Sequence, residues 1–129
     1  MVDFERLLTE SDVLSVHVHL TDANRNLLTA QAIGRMRQGA VVINTSRGGI
    51  IDEAALLATL EDGHLGGAGL DVIDGEWRND LDLNPLIRYA REHENLVITP
   101  HIGEVAVEAQ SSAIERAVIK LKGHLEALT

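Results

Sequence analysis

The chain has 129 residues, of which 45% are hydrophobic and 24% are charged, a composition typical of one folded domain rather than of a disordered segment. A net charge of −9 disfavours binding to nucleic acid, and the absence of cysteine excludes disulfides and thiolate metal sites. We expect a cytoplasmic protein without membrane spans, because no secretory signal opens the chain and no stretch approaches the roughly 20 apolar residues that a span needs.

Four short apolar segments are rich in β-branched residues and are predicted to be strands. They comprise residues 13–18, 40–45, 68–72 and 95–99. Their residues are apolar on both faces, which is typical of a parallel sheet that helices cover on both sides.

Helical patterns separate these strands, and several begin after a residue that can cap a helix, such as Asp3, Thr29 or Asp52. The predicted helices cover residues 4–9, 30 to about 36, 53–60, 85 to about 93, and about 105–128 within a C-terminal segment of about 104–129. The alternation predicts an α/β fold, a parallel sheet of about four strands with flanking helices. In such folds the functional residues lie at the carboxyl ends of the strands.

Arg47 ends the second apolar segment and is followed by Gly48 and Gly49, which allow a sharp turn and leave room beside the guanidinium. An arginine in this position can bind a carboxylate by two parallel hydrogen bonds. It could instead form an ion pair with Asp52 or Glu53 at the start of the next helix. The local pattern leaves both interpretations open.

His101 follows the fourth segment, directly after Thr99 and Pro100. A histidine beside an acid titrates near neutral pH and can transfer a proton in both directions. Glu76, which follows the third segment, is the candidate acid. A single loop histidine is more often a surface residue, so the pattern alone leaves that alternative open.

His17 and His19 are predicted to lie on one face of the first strand, where His101 could add a third imidazole ligand to a metal. We favour the alternative in which one imidazole packs under a loop and the other lines a pocket, and we expect no metal. The phosphate-binding pattern G-x-G-x-x-G does not occur in the 129 residues.

The predicted final helix carries an apolar stripe with charged residues beside it. We expect the stripe to pack on the sheet, and the alternative is a surface for another domain or chain. The stripe consists of Val107, Ile114, Val118, Leu121, Leu125 and Leu128.

Four blocks of the sequence carry a family resemblance. They are residues 11–17 (SDVLSVH) with Leu20 and Thr21, residues 39–52 (GAVVINTSRGGIID), residues 67–72 (GAGLDV) with Glu76, and residues 95–103 (NLVITPHIG). In this order and at this spacing they closely resemble successive signatures of the D-isomer-specific 2-hydroxyacid dehydrogenases.

The resemblance implies hydride transfer between NAD or NADP and a small 2-hydroxy or 2-keto acid, with the choice between the two cofactors open. Arg47 would hold the substrate carboxylate, His101 would exchange a proton with the carbonyl oxygen, and Glu76 would hydrogen-bond His101 and strengthen its hold on that proton. Asp71 would contact the nicotinamide carboxamide. The full set of cofactor-binding residues implied by the resemblance is His17, Thr21, Thr45, Ser46, Asp71 and Gly103.

The resemblance also implies that residues 1–129 form one partial NAD-binding domain, the C-terminal half of a Rossmann-type fold. The substrate domain and the half with the glycine fingerprint would be absent, so we expect the isolated chain to be inactive. The alternative is a catalytically silent module with a role in association. The strand at residues 13–18 would lack its usual neighbour and leave an apolar edge, which predicts a homo-oligomer. Neither nucleic acid nor a membrane is expected as a partner.

Overall fold

The computed structural model describes residues 2–103 and 107–126, and at its centre is a sheet of four parallel strands. In chain order, and side by side, these are β1 (Val13–Val16), β2 (Val41–Asn44), β3 (Gly67–Leu70) and β4 (Leu96–Ile98). One row across the sheet is formed by Leu14, Val42, Ala68 and Leu96. The predicted fold class, with four parallel strands, is confirmed.

Five α-helices accompany the strands in the described part of the chain. They are α1 (Phe4–Glu10), α2 (Ala30–Gly34), α3 (Glu53–Glu61), α4 (Pro85–Glu92) and α5 (Val107–Glu126). The predicted ends of the last helix, at residues 104–106 and 127–129, lie outside the described residues.

The predicted helix caps are confirmed. The Asp3 carboxylate accepts a hydrogen bond from the backbone N–H of Arg6 at 2.8 Å. At the start of α3, the Asp52 carboxylate accepts one from Ala55 at 3.1 Å. Each cap satisfies a backbone donor that has no partner within the first turn of the helix.

The first strand is shorter than predicted. It ends at Val16, so His17 and Val18 lie beyond it. The cause lies in the neighbouring strand, because β2 ends at Asn44 and the hydroxyl of Ser46, just beyond it, donates to the Val16 carbonyl at 2.7 Å. A side chain therefore takes the place of the next ladder hydrogen bond.

Helices α1 to α4 cover one face of the sheet. The core on that face contains, from the strands, Leu14, Val16, Val42, Ala68, Leu70 and Leu96, and, from the helices, Leu8, Ile33, Leu56, Leu60 and Leu86. On the opposite face Val13 and Val97 are each 59% exposed. The predicted cover on both sides is therefore present on one side only among the described residues. The open face also carries Ser15 and Gly69, and so has less apolar surface to bury.

The described part of the apolar stripe of α5 is exposed, so it does not pack on the sheet, contrary to the expectation. Val107, Ile114 and Val118 are 74%, 65% and 59% exposed. The continuation of the stripe through Leu121, Leu125 and Leu128 lies outside the described side chains. Within residues 2–103 and 107–126, no helix combines the length and hydropathy needed to cross a membrane.

Candidate active site

Because the four strands are parallel, their carboxyl ends open onto the same edge of the sheet. His17 follows β1, the segment Thr45–Ser46–Arg47 follows β2, Asp71 follows β3 and His101 comes shortly after β4. Sequence positions that are far apart are thereby brought to one edge, as the crossover topology predicts.

His101 and Glu76 form the central contact at this edge. Nδ1 of His101 lies 2.6 Å from Oε1 of Glu76, although the two residues are 25 positions apart. Their side chains are only 15% and 19% exposed. The other carboxylate oxygen of Glu76 lies 3.4 Å from the backbone N–H of Ile73, at the long end of the hydrogen-bonding range. The structure thus brings the predicted pair together and largely shields it from water.

The backbone at His101 is in the left-handed region, with φ at +53°. This conformation is uncommon for a residue with a side chain and costs on the order of 1–3 kcal/mol. The N–H of His101 donates to the carbonyl of Thr99 at 3.0 Å, which closes a tight turn around Pro100. The imidazole direction therefore depends on a strained loop that its surroundings must hold.

Asp71 makes the contacts that hold this loop. Its Oδ1 accepts hydrogen bonds from the Thr99 hydroxyl at 2.5 Å and from the Ile102 N–H at 3.0 Å, and its Oδ2 accepts one from the Gly103 N–H at 2.8 Å. Burial alone would raise the pKa of this carboxyl, but these hydrogen bonds and the nearby charge of His101 lower the pKa below its usual value. Asp71 is therefore held as a carboxylate.

Gly103 has a packing reason to be glycine. A Cβ at this position would lie 2.9 Å from Oδ2 of Asp71, closer than such contacts occur. The predicted cofactor-binding residues Asp71 and Gly103 are thus in direct contact with each other.

Arg47 lies in an exposed loop whose backbone is firmly held. Its guanidinium donates to the carbonyl of Ser46 at 2.6 Å, and its own carbonyl accepts from the amide of the buried Asn44 at 2.9 Å. A Cβ on Gly48 would lie 2.2 Å from the backbone carbonyl carbon of Ile73. The arginine loop therefore packs directly against the segment that leads to Glu76.

The alternative ion pair of Arg47 is not formed in the described part of the chain. Asp52 caps α3 instead, and Glu53 accepts a hydrogen bond from the backbone N–H of Asp74 at 2.5 Å. Neither acid is paired with the arginine among the described ion pairs.

Glu53 is a site residue that the sequence analysis missed. Burial raises its pKa, the hydrogen bond from the Asp74 N–H lowers it, and the charges of Asp74 and Glu76 raise it, with a net increase. A second carboxylate therefore lies close enough to Glu76 for the two charges to influence each other. Nothing in the local sequence distinguishes Glu53 from a helix-capping acid, because its environment is created by the loop after β3.

The loop after β1 is exposed and held mainly by its own contacts. Nε2 of His17 lies 2.8 Å from the Ser15 hydroxyl, and the N–H of Thr21 donates to the Asn24 side chain at 2.7 Å. His19 is also exposed. The two histidines are not on a strand, and no cluster of three metal-ligating side chains occurs in the part of the chain that the structure describes. The structure thus gives no support to the His17/His19 metal hypothesis.

A cavity of about 980 Å³ extends from the histidine–glutamate pair along the free edge of β4. Its walls include Trp77, Leu81 and Ile87, and Trp77 is 84% exposed. The ring centre of Trp77 lies 6.2 Å from that of His101. A small molecule at this edge would therefore meet both the His101–Glu76 pair and an apolar wall.

A comparison with protein families identifies residues 1–103 as matching the D-isomer specific 2-hydroxyacid dehydrogenase, NAD binding domain. Glycerate dehydrogenase of Methylorubrum extorquens is 40% identical over 124 residues, which cover 92% of this chain and 36% of that relative. The chain thus spans little more than a third of the length of this curated relative.

Two solved structures extend the comparison to three dimensions. D-lactate dehydrogenase of Aquifex aeolicus, complexed with NAD and lactic acid, matches with a TM-score of 0.77 at 29% identity, covering 98% of this chain and 40% of that one. A D-isomer specific 2-hydroxyacid dehydrogenase of Xanthobacter autotrophicus, complexed with NADPH and MES, matches with a TM-score of 0.69 at 33% identity, covering 82% and 32%. One of these two structures thus holds NAD and the other holds NADPH.

Proposed function

The chain belongs to the D-isomer-specific 2-hydroxyacid dehydrogenase family, in its NAD-binding domain, and we propose that it supplies the proton-transfer part of an enzyme that interconverts 2-hydroxy and 2-keto acids. The observation that carries the proposal is the 2.6 Å contact between His101 Nδ1 and Glu76 Oε1. A carboxylate at this distance can accept a hydrogen bond from Nδ1–H and so fix the orientation of the imidazole, which a proton donor to a ketone requires.

We assign proton exchange to Nε2 of His101, because Nδ1 is engaged by Glu76. In the reduction of a 2-keto acid, this proton passes to the carbonyl oxygen as the carbon is reduced. In the oxidation, the neutral imidazole takes the hydroxyl proton back. Glu76 acts through the histidine and is therefore a positioning residue in this proposal.

Arg47 is proposed to bind the substrate carboxylate. Its guanidinium is exposed at the same edge, and its loop packs against the segment that leads to Glu76. A planar guanidinium can form two parallel hydrogen bonds with a carboxylate, which fixes the orientation of the acid as well as its affinity. A small 2-hydroxy or 2-keto acid is thus the proposed substrate.

The polar groups of this edge fit the nicotinamide end of a dinucleotide. A carboxylate has about four lone-pair positions, and Asp71 uses three of them within the protein. The fourth can accept an amide N–H, so we assign Asp71 to the carboxamide of the cofactor. We assign the remaining contacts to Thr45, Ser46, Gly103, His17 and Thr21. When bound, NAD or NADP supplies the hydride donor or acceptor.

We propose that the isolated 129-residue chain has little activity and forms a homo-oligomer. Its sequence contains no G-x-G-x-x-G pattern for the pyrophosphate. β1 lies at an edge of the sheet, and Val13 on the open face is 59% exposed. An exposed apolar edge of this kind favours association. The same observation favours the second candidate function, a catalytically silent association module. The cytoplasmic location stays a prediction, which cell fractionation would test.

A chimera would test the proposed function. Residues 1–103 of this chain would replace the matching segment of the Methylorubrum glycerate dehydrogenase, and NADH oxidation would be measured with a panel of 2-keto acids. We expect turnover by the chimera, little turnover by the isolated chain, and loss of turnover with His101→Ala in the chimera. A folded chimera that binds NADH but whose rate is unaffected by His101→Ala would overturn the proposed role of the histidine.

A further inference from the structure

The loop that carries His101, residues 99–103, is joined to the sheet by a backbone hydrogen bond at its first residue. The N–H of Thr99 donates to the carbonyl of Leu70 at 2.9 Å, which continues the pairing of β4 with β3. Beyond this bond, the chain turns through Pro100 into the left-handed conformation of His101. A residue in that conformation persists only where its surroundings hold it.

One carboxylate meets this loop on both sides of His101. Asp71 accepts from Thr99 before the histidine, and from Ile102 and Gly103 after it. Asp71 is itself fixed, because it is only 6% exposed and its N–H donates to the carbonyl of Asn44 at 2.9 Å. The side chain of Asp71 therefore fixes the position of the loop relative to the central strands of the sheet.

We propose that Asp71 is a positioning residue for His101, in addition to any contact with the cofactor. This inference rests on the proposed function for its catalytic consequence, but its structural part does not. The carboxylate closes the loop into the turn that directs the imidazole toward Glu76 and the substrate side. The same carboxylate has one lone-pair position left for an amide donor. It can therefore contact the carboxamide of the cofactor while it holds the loop that carries His101.

Amide hydrogen exchange on the isolated chain tests the structural part. In Asp71→Asn, one oxygen becomes an NH₂ group, which cannot accept from an N–H donor. We expect the amides of Ile102 and Gly103 to exchange at least about tenfold faster, which corresponds to the loss of one charge-assisted hydrogen bond. Core amides such as that of Val42 are expected to be unchanged. Asp12→Asn, on the opposite edge of the sheet, is the matched control.

Thr99 provides a second, independent variant. Thr99→Val keeps the shape of the side chain and removes the hydroxyl donor, and Thr99→Ser restores it. In the chimera, we expect Thr99→Val to lower kcat about tenfold with the KM for NADH unchanged, and Thr99→Ser to recover most of the rate. A change in kcat without a change in the KM for NADH distinguishes the positioning of His101 from cofactor binding. The same measurement tests the proposed role of Asp71 if Asp71→Asn does not fold.

Two results would overturn the inference. One is unchanged exchange of the Ile102 and Gly103 amides in a folded Asp71→Asn chain. The other is a Thr99→Val chimera that raises the KM for NADH and leaves kcat as it was. If the unmutated chimera is itself inactive, the proposed function fails, whereas the exchange rates still decide whether Asp71 holds the loop.

Discussion

At the carboxyl ends of the strands, the polar residues after β3 and β4 are held differently from those after β1. At the β3–β4 end, Glu76, Asp71 and His101 are linked across 25 to 32 positions of the chain by hydrogen bonds from largely buried side chains. At the β1 end, His17 and Thr21 are bonded to residues two or three positions away, and both are exposed. The proposed proton-transfer pair is thus assembled by the tertiary fold, and the residues after β1 are held by local contacts.

This contrast separates the proposed roles. A proton donor must be oriented within a few tenths of an ångström, and long-range hydrogen bonds provide that orientation. Residues that line a cofactor can be adjusted by the cofactor itself. Substitutions at the β3–β4 end should therefore lower activity more than substitutions at the β1 end.

The largest expected effect is at the largely shielded His101–Glu76 pair. His101→Ala in the chimera should lower kcat by about 10²- to 10⁴-fold, the usual contribution of a general acid. His64→Ala is the matched control, since His64 contacts the carbonyl of Ile33 and lies before β3, at the opposite edge. Steady-state kinetics with a 2-keto acid measures both. Equal losses in the two variants would contradict the contrast.

Arg47→Ala should have the next largest effect. Loss of a charged hydrogen-bond partner to the substrate carboxylate costs about 1.5–3 kcal/mol, or roughly 10- to 150-fold in kcat/KM. Arg37→Ala removes a guanidinium that is paired with Asp12 on the surface at 2.7 Å, and such pairs contribute little. If Arg47→Ala matches this control in kcat/KM, the guanidinium does not bind the substrate.

Gly48→Ala tests whether the arginine loop needs its close approach to the β3 loop. The new methyl would lie 2.2 Å from the Ile73 backbone, so we expect a loss of about 1–3 kcal/mol in the free energy of unfolding. Gly34→Ala is a matched control within α2, where nothing lies within 4 Å of the added carbon. It should stabilise the chain by up to about 1 kcal/mol. Urea denaturation of the isolated chain distinguishes the two, and a neutral Gly48→Ala would refute the packing argument.

Glu53→Gln should have the smallest effect, and it depends on pH. Because the pKa of Glu53 is raised in the fold, its contribution to stability is present at low pH and is lost as the pH rises through that pKa. The variant should therefore be more stable than the parent chain at neutral pH, and the difference should vanish near pH 4. Glu94→Gln, an exposed acid before β4, controls for net charge. A difference that is constant with pH would contradict the raised pKa.

Local features of the fold could be predicted from the sequence, because their causes are local. Asp3 and Asp52 cap helices through backbone groups three residues away. The end of β1 could not be predicted in this way, since the Ser46 hydroxyl that donates a hydrogen bond to the Val16 carbonyl comes from a loop 30 residues later.

The candidate site likewise contains features that could be predicted from the sequence and features that depend on distant contacts. The pairing of His101 with Glu76 was predicted from their positions after neighbouring strands and from the family resemblance. Two further features depend on which loops meet at the edge of the sheet. Asp71 accepts hydrogen bonds from the loop that carries His101, and the charge of Glu76 acts on Glu53. The open face of the sheet was missed for a similar reason, because apolar strand residues do not reveal which elements cover them.

The most direct test of the account is a nitrogen-detected NMR spectrum of the imidazole of His101 in the isolated chain, without substrate or cofactor. If the fold alone assembles the proton-transfer pair, Nδ1 will carry a slowly exchanging proton whose signal is shifted downfield, and Glu76→Gln will alter that signal. A His101 ring that exchanges its Nδ1 proton rapidly, and whose spectrum is the same in Glu76→Gln, would contradict the account.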